Sequence, residues 1–215
     1  MKLTLAFAVV LITSVPLSGL LAQGQFIWGN SLAGVRAFIY GVDPANPTEI
    51  RRGNNSIDIP AGNQTYGGAP LLGTGFTMAI YLGRTASEVM ANNTPPSISG
   101  TTTFRTSTSA AGLINQFTSA ADGIPGGTPD VNYQFRAWDN QGGTLTSWSQ
   151  VMAGGGSIPG GTSDIFVFTA PLALGGGTPP LTTGIRSFNL TVVPEPSLIA
   201  LGALGLGALL FRRRK

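Results

Sequence analysis

Apolar residues are distributed along this chain in two different ways. Near each end they form unbroken runs, at residues 3–12 and 198–211, whereas between the ends they recur in short stretches with period two. Period-two patterning over four to eight residues is the mark of half-buried strands. The clearest case is residues 76–82, where Phe76, Met78, Ile80 and Leu82 fall on one face. Residues 131–138 alternate in the same way, with Val131, Tyr133, Phe135 and Ala137 opposed to Asn132, Gln134, Arg136 and Trp138. Residues 35–40 place Val35, Ala37 and Ile39 against Arg36, Phe38 and Tyr40. Further strands are expected at 25–28, 56–59, 101–106 (an edge strand), 164–169 and 187–192. Residues 86–91 suit one helical turn before Pro95-Pro96. Residues 111–117 and 144–151 fit either a strand or a short helix, and 122–130 and 154–161 read as loops.

Turn-forming clusters separate these runs: Asp43-Pro44, Asn46-Pro47, Gly53-Asn54-Asn55, Gly67-Gly68, Gly126-Gly127, Asn140-Gln141-Gly142-Gly143 and the Gly/Pro segment 175–180. Seven to nine short strands without a long amphipathic helix predict an all-β fold. The expected architecture is a single antiparallel β-sandwich, of jelly-roll or immunoglobulin-like layout, with long Gly/Pro-rich loops.

The apolar ends have a different meaning. Lys2 precedes the run 3–12, and Pro16 and a small-residue region ending Ala22-Gln23-Gly24 follow it. A charged start, a short apolar stretch and small residues make a secretory signal peptide. Cleavage after Ala22 leaves Leu20 at the third position back, and cleavage after Gly24 puts Ala22 there, the better fit. At the other end, Val193-Pro194-Glu195-Pro196 leads into the 14-residue run 198–211 and then Arg212-Arg213-Arg214-Lys215. The prolines stop any strand or helix from running through Glu195, while Pro196 is compatible with a first helical turn. As a helix, the run would be about 21 Å long at ~1.5 Å per residue. That is short against a hydrocarbon core of ~30 Å, and the cations would hold it with its C-terminus on the cytoplasmic side. The expected division is a signal peptide at 1–24, a β-sandwich ectodomain at 25–192 and a sorting segment at 193–215.

The order Pro-Glu-Pro, short apolar helix, basic terminus resembles the PEP-CTERM sorting signal of Gram-negative envelope proteins. Val193, Pro194, Glu195, Pro196 and the cluster Arg212, Arg213, Arg214, Lys215 match that pattern residue for residue. The resemblance implies a membrane processing enzyme of the exosortase type as partner, export by the secretory machinery, and transient anchoring through residues 198–211. An ordinary membrane anchor with a proline hinge is the plainer alternative. More loosely, the middle is similar in layout to small ectodomains of such proteins from exopolysaccharide-producing bacteria. In these, strands like FTMAIYLG and YQFRAWD precede the tail, and the family offers no settled activity to carry over.

Charge and absences narrow the chemistry. The whole chain is formally +3, yet between residues 25 and 192 seven arginines face eight acids. No basic face for nucleic acid can be built from these, and the pair Arg51-Arg52 reads as a solvated turn. Cysteine and histidine are absent and the only lysines are Lys2 and Lys215. This excludes disulfides, thiolate metal sites, Ser-His-Asp triads and lysine-based nucleophilic catalysis. Carboxylates, tyrosines and arginines remain. Asp122, Asp130 and Asp139 could serve as paired carboxylates for glycan hydrolysis, or simply cap turns. Trp28, Tyr133, Trp138 and Trp148 could form a sugar-binding platform, or belong to the core. The expectation is an exported, non-catalytic surface or matrix protein associated with exopolysaccharide, with no cofactor. Its alternative is a secreted carbohydrate-binding module using exposed aromatics, or less readily a carboxylate-dependent glycan hydrolase.

Overall fold

The computed structural model describes residues 23–91, 100–154 and 156–192. Ala22, the sorting motif Val193–Pro196, the run 198–211 and the cluster Arg212–Lys215 lie outside the described residues. In chain order the strands are β1 (Gln23–Trp28), β2 (Ser31–Leu32), β3 (Val35–Arg36), β4 (Ile39–Tyr40) and β5 (Phe76–Gly83). Helix α1 (Ala86–Ala91) follows, then β6 (Thr101–Thr103), β7 (Phe117–Pro125), β8 (Asn132–Asp139) and helix α2 (Trp148–Ala153). Three short strands, β9 (Gly160–Thr162), β10 (Phe166–Val167) and β11 (Phe188–Asn189), complete the set. The fold is all-β, mostly antiparallel, with few and short helices.

The two best-patterned segments form the centre. β5 and β8 pair antiparallel over their whole length, from Phe76 opposite Asp139 to Gly83 opposite Asn132. β6 extends this sheet at the β5 edge, while β9 and β10 pair successive stretches of β8 on the other. Because side chains alternate across a strand, the expected face of Met78, Ile80, Leu82, Tyr133, Phe135 and Ala137 enters one large core. That core also receives Phe26 and Trp28 of β1, Ile39 of β4, Ala121 and Ile124 of β7, and Phe188 of β11. The opposite face is covered as well: Ala79, Tyr81 and Trp138 pack against Val89 of α1 and Val151 of α2.

β1 pairs antiparallel with β7, and its outer edge is closed by isolated bridges from Gln25 to Ala173 and Ile27 to Leu181. The β1–β7 register shifts between Gln23, opposite Pro125, and Gly24, opposite Ala121. Residues 122–124 are taken up in that irregularity, so β7 runs on through Asp122 where a loop was expected. Gly24 is required here, since a Cβ would lie 2.6 Å from Leu172 Cβ.

Several expected strands differ. Residues 35–40 alternate as anticipated but are divided between β3, paired with β2, and β4, paired in parallel with β11. Residues 56–59 form a turn joined to Arg36 by one bridge; Ile57 and Ile59 are exposed and Asp58 is buried. Asp58 Oδ1 accepts the Phe38 N–H at 3.3 Å and Oδ2 accepts the Ser187 hydroxyl at 2.8 Å, which fixes the turn. Residues 111–116 form neither a strand nor a helix; 148–153 are helical; 160–162 form a strand rather than loop. The last two strands shrink to two residues each.

With so many two-residue strands, side-chain amides do part of the work of a ladder. Asn30, fully buried, donates from Nδ2 to the carbonyls of Ala37 (2.8 Å) and Gly112 (2.7 Å). Its Oδ1 accepts the Ile114 N–H at 2.9 Å. Replacing Asn30 with Ala leaves the Ala37 carbonyl and the Ile114 N–H without these partners, while the Gly112 carbonyl keeps the Ile39 N–H. The expected cost is about 2 kcal/mol or more, given ~1–3 kcal/mol for each orphaned group. Thermal unfolding should then fall by roughly 4–8 °C at ~2–4 °C per kcal/mol. Asn63→Ala, at an exposed loop position, should stay within ~0.5 kcal/mol. Equal melting of the two variants would contradict the assigned role.

Candidate functional site

The covered outer face of β5 and β8 carries the most chemically distinctive group of side chains. Gln134, Arg136 and Trp138 alternate outward from β8, and all three are buried because α1 and α2 close over them. The Arg136 guanidinium lies 4.0 Å over the Tyr81 ring and 5.7 Å from the Trp148 ring centre. Its Nη2 donates to the Val89 carbonyl at 2.6 Å and its Nε to Gln134 Oε1 at 3.1 Å. Burial lowers its pKa from the usual arginine value, and the nearby Tyr81 hydroxyl opposes that shift. The group remains a cation, since an arginine starts far above neutrality.

Arg136 is paired with Thr162 on β9, and Thr162 is also the residue that Arg52 bonds. Arg52 Nε donates to the Thr162 carbonyl at 2.8 Å and Nη2 to its hydroxyl at 2.7 Å. Its Nη1 stands 3.8 Å from Asp164, an exposed pair of little energetic weight. Two cations and one carboxylate therefore border a surface groove of ≈ 490 Å³, with Gln134, Trp148 and the exposed Met90 along it. A second, smaller depression of ≈ 180 Å³ shares Arg52, Trp148 and Thr162, and extends to Ile50, Met152 and Asn189. Trp148 thus lines both hollows. Its ring is seated against Gly160, where a Cβ would meet ring carbons at 3.1 Å.

The sequence did not mark this group. Arg51 and Arg52 do not form a solvated turn. Arg51 turns toward Glu49 (2.7 Å) and the Thr65 carbonyl (2.5 Å), and Arg52 toward β9. The outward set Gln134-Arg136-Trp138 was visible as alternation, but its helical cover depends on long-range packing.

The expected aromatic platform is not assembled. Trp28, Tyr133 and Trp138 are each 0% exposed, and only Trp148 of the four is part-exposed. Trp28 donates to Ser119 Oγ at 2.9 Å inside the main core, and Trp138 donates to the Leu145 carbonyl at 3.0 Å. The candidate carboxylates are not brought together either. Asp130 precedes β8 and Asp139 is its last residue, so the eight-residue strand, about 25 Å long at ~3.3 Å per residue, lies between them. Asp139 accepts the Gln141 N–H at 2.8 Å, the turn-capping role. Asp122 lines a different groove with Arg84 and Glu88; it accepts the Gln23 amide at 3.2 Å, and Glu88 accepts the Arg84 N–H at 2.7 Å. Among the described residues, no group of three or more acids could hold a metal ion. Nor is any described helix long and apolar enough to cross a membrane.

The four tyrosines are likewise structural. Tyr40 and Tyr66 stack with ring centres 4.1 Å apart, and the Tyr66 hydroxyl donates to the carbonyls of Gly53 (2.5 Å) and Ser187 (2.8 Å). Tyr133 donates to the Thr183 carbonyl from within the core. Burial raises all four above the usual phenol value of 10; Tyr40, also facing Asp58, is pushed up to about 12. Each is therefore neutral in the fold and ionises more readily once unfolded. That stabilisation is complete below pH 10 and is lost as the pH rises through about 12. In an alkaline titration, phenolate absorbance should not appear near pH 10 but together with loss of the folded circular-dichroism signal. Phenolate formation near pH 10 in an intact fold would contradict this account.

Comparison with protein-family models, with curated proteins and with solved structures finds no match to this chain.

Proposed function

We propose that this chain is an exported surface or extracellular-matrix protein, without catalytic activity of its own, sorted and processed through a C-terminal PEP-CTERM signal. The observation that carries the reading is the ordered tail: Val193-Pro194-Glu195-Pro196, a 14-residue apolar run, then Arg212-Arg213-Arg214-Lys215. Its position relative to the fold supports it. Leu190 is fully buried, and the Val192 N–H donates to the Pro47 carbonyl at 2.8 Å. The motif thus begins at the residue after a well-tied end of the β domain. A cut near Pro196 would remove the membrane-directed segment and leave every described contact in place.

The delivery mechanism follows from the physical character of the segments. The secretory machinery takes the N-terminus, and the short apolar run stalls in the inner membrane with its cations inside. The proline-bounded linker then presents Glu195 to an exosortase-type enzyme at the outer face. The delivered cargo is a β-sandwich. In this reading the β5–β8 sheet forms one layer, and the second is made by β1–β7 and β4–β11, whose apolar side chains share its core. At the N-terminus, small-residue spacing favours cleavage after Gly24, whereas the pairing of β1 supports cleavage after Ala22. Gln23 and Gly24 are already paired in β1, opposite Pro125 and Ala121. The exported protein associates with extracellular polysaccharide, which requires no reactive group. Asp139 and Glu88 accept bonds from turn N–H groups, and the Tyr66 hydroxyl is taken up by two backbone carbonyls.

The test is intact-mass analysis with cell fractionation, in cells that contain the processing enzyme. Wild type should start at Gln23, end near Pro196 and lie outside the inner membrane. Glu195→Ala should retain the tail and stay in that membrane. If both forms have the same mass and location, the processing reading fails.

A further inference from the structure

We propose that the double groove around Trp148 binds an acidic polysaccharide, taking the carboxylate of one sugar residue between Arg52 and Arg136. This rests on the matrix-protein reading above and assigns the association to named side chains. Three observations converge on it. The first is charge. Two arginines, Arg52 bonded to Thr162 and Arg136 on the strand residue paired with Thr162, line a groove that contains one carboxylate, Asp164. Arg136 is fixed by Tyr81, Val89 and Gln134, so its cation cannot swing away to solvent. Arg52 is fixed by two bonds to Thr162 while its Nη1 edge has only Asp164, at 3.8 Å. An incoming carboxylate would find this edge already oriented, which removes much of the ordering cost of binding.

The second observation is the character of the walls. Sugar rings have apolar faces and polar rims, and the groove has both kinds of partner. Trp148 provides a part-exposed ring held in place by Gly160 and Trp138. Gln134, Thr162 and Ser163 give that groove a polar lining, held in place by bonds to Arg136, Arg52 and neighbouring backbone. The third is shape. Two hollows of ≈ 490 Å³ and ≈ 180 Å³ share Arg52, Trp148 and Thr162, so both adjoin the indole. Two adjoining hollows suit consecutive units of a chain better than a single small molecule. The exposed Met90, Met152 and Ile50 along them, each about 60% accessible, give apolar contact for ring faces. A protein partner, or a second copy of this chain, would use the same apolar contacts but has no need of the two oriented cations.

The experiment uses full-length protein in mild detergent, with affinity electrophoresis through gels containing polygalacturonate. The comparison gel contains the same polymer fully methyl-esterified, which keeps the backbone and removes the charge. The expected result is retardation by the acid polymer that weakens with salt, and little retardation by the ester. Arg52→Gln and Trp148→Ala should each weaken binding about tenfold or more, the scale of one lost charge-assisted contact. Arg52→Gln is the safer variant for folding, since its side chain is part-exposed; unchanged melting establishes that it is folded. Arg84→Gln, an arginine in a separate groove, should bind like wild type. The proposal is overturned if Arg52→Gln binds normally, if Arg84→Gln weakens as much, or if the ester binds as well as the acid. It is also overturned if light scattering shows dimers that dissociate in these variants, because the groove would then belong to a second copy. Wild type that ignores polygalacturonate but still co-purifies with the exopolysaccharide of its own cells would sink this site and leave the matrix-protein reading intact. Loss of both associations would remove that reading as well.

Discussion

One buried amide ties together the parts of this fold that strands alone do not. Asn30 follows β1, faces the link between β3 and β4, and reaches the loop before β7, bonding a backbone group in each of the last two. An asparagine side chain has the same donor and acceptor groups as a peptide unit, so it can complete a ladder where no strand is available. In the low-dielectric interior, those carbonyls and that N–H would otherwise be costly to bury. The device recurs. Asn189 donates to the Glu49 carbonyl at 2.9 Å and accepts the Arg51 N–H at 2.8 Å, while Asn140 bonds Thr74 and Gly143. Asparagine therefore stands in for regular pairing around a sheet whose continuous part is mainly β5 and β8.

The central pair is covered on both faces, and this explains how a charged side chain came to be buried. Tyr81 and Trp138 need shielding on the outer face, and two single-turn helices provide it through Val89 and Val151. Arg136 projects from the same face and is accommodated by a ring, a carbonyl and an amide rather than by exposure. A cation held in this way imposes its field on the nearby surface while its geometry stays rigid. Where the helices stop, the rim of that face opens into the groove beside Thr162. The groove is thus a by-product of incomplete cover, with its chemistry set by what the strand presents.

A protein that lacks cysteine, histidine and, between its ends, lysine has few ways to make or break bonds. Its ionisable groups are instead drawn into structure: Asp58 fixes a turn, Asp139 caps one, and the tyrosines anchor loops and core. On the proposed reading such a domain has a passive role outside the cell, with the tail supplying the route and the groove a place to hold a polymer.

Local pattern alone determined a good part of this. Alternation marked β5 and β8 with the correct inward faces, because a strand's period of two is written directly in side-chain polarity. β1, the edge position of β6 and the turn at α1 were likewise legible from short-range signals. The proposed sorting and signal segments rest on composition alone and, up to Ala22 and from Val193 on, lie outside the described residues. Tertiary structure decided the rest. Whether 35–40 remained one strand depended on partners about 150 residues away in β11 and on Asn30. Whether Trp138 faced solvent or helix, and whether Arg52 reached Thr162 on the strand beside Arg136, depended on packing between segments distant in the chain. Polarity along a strand tells which side chains share a face; it does not tell what that face will meet.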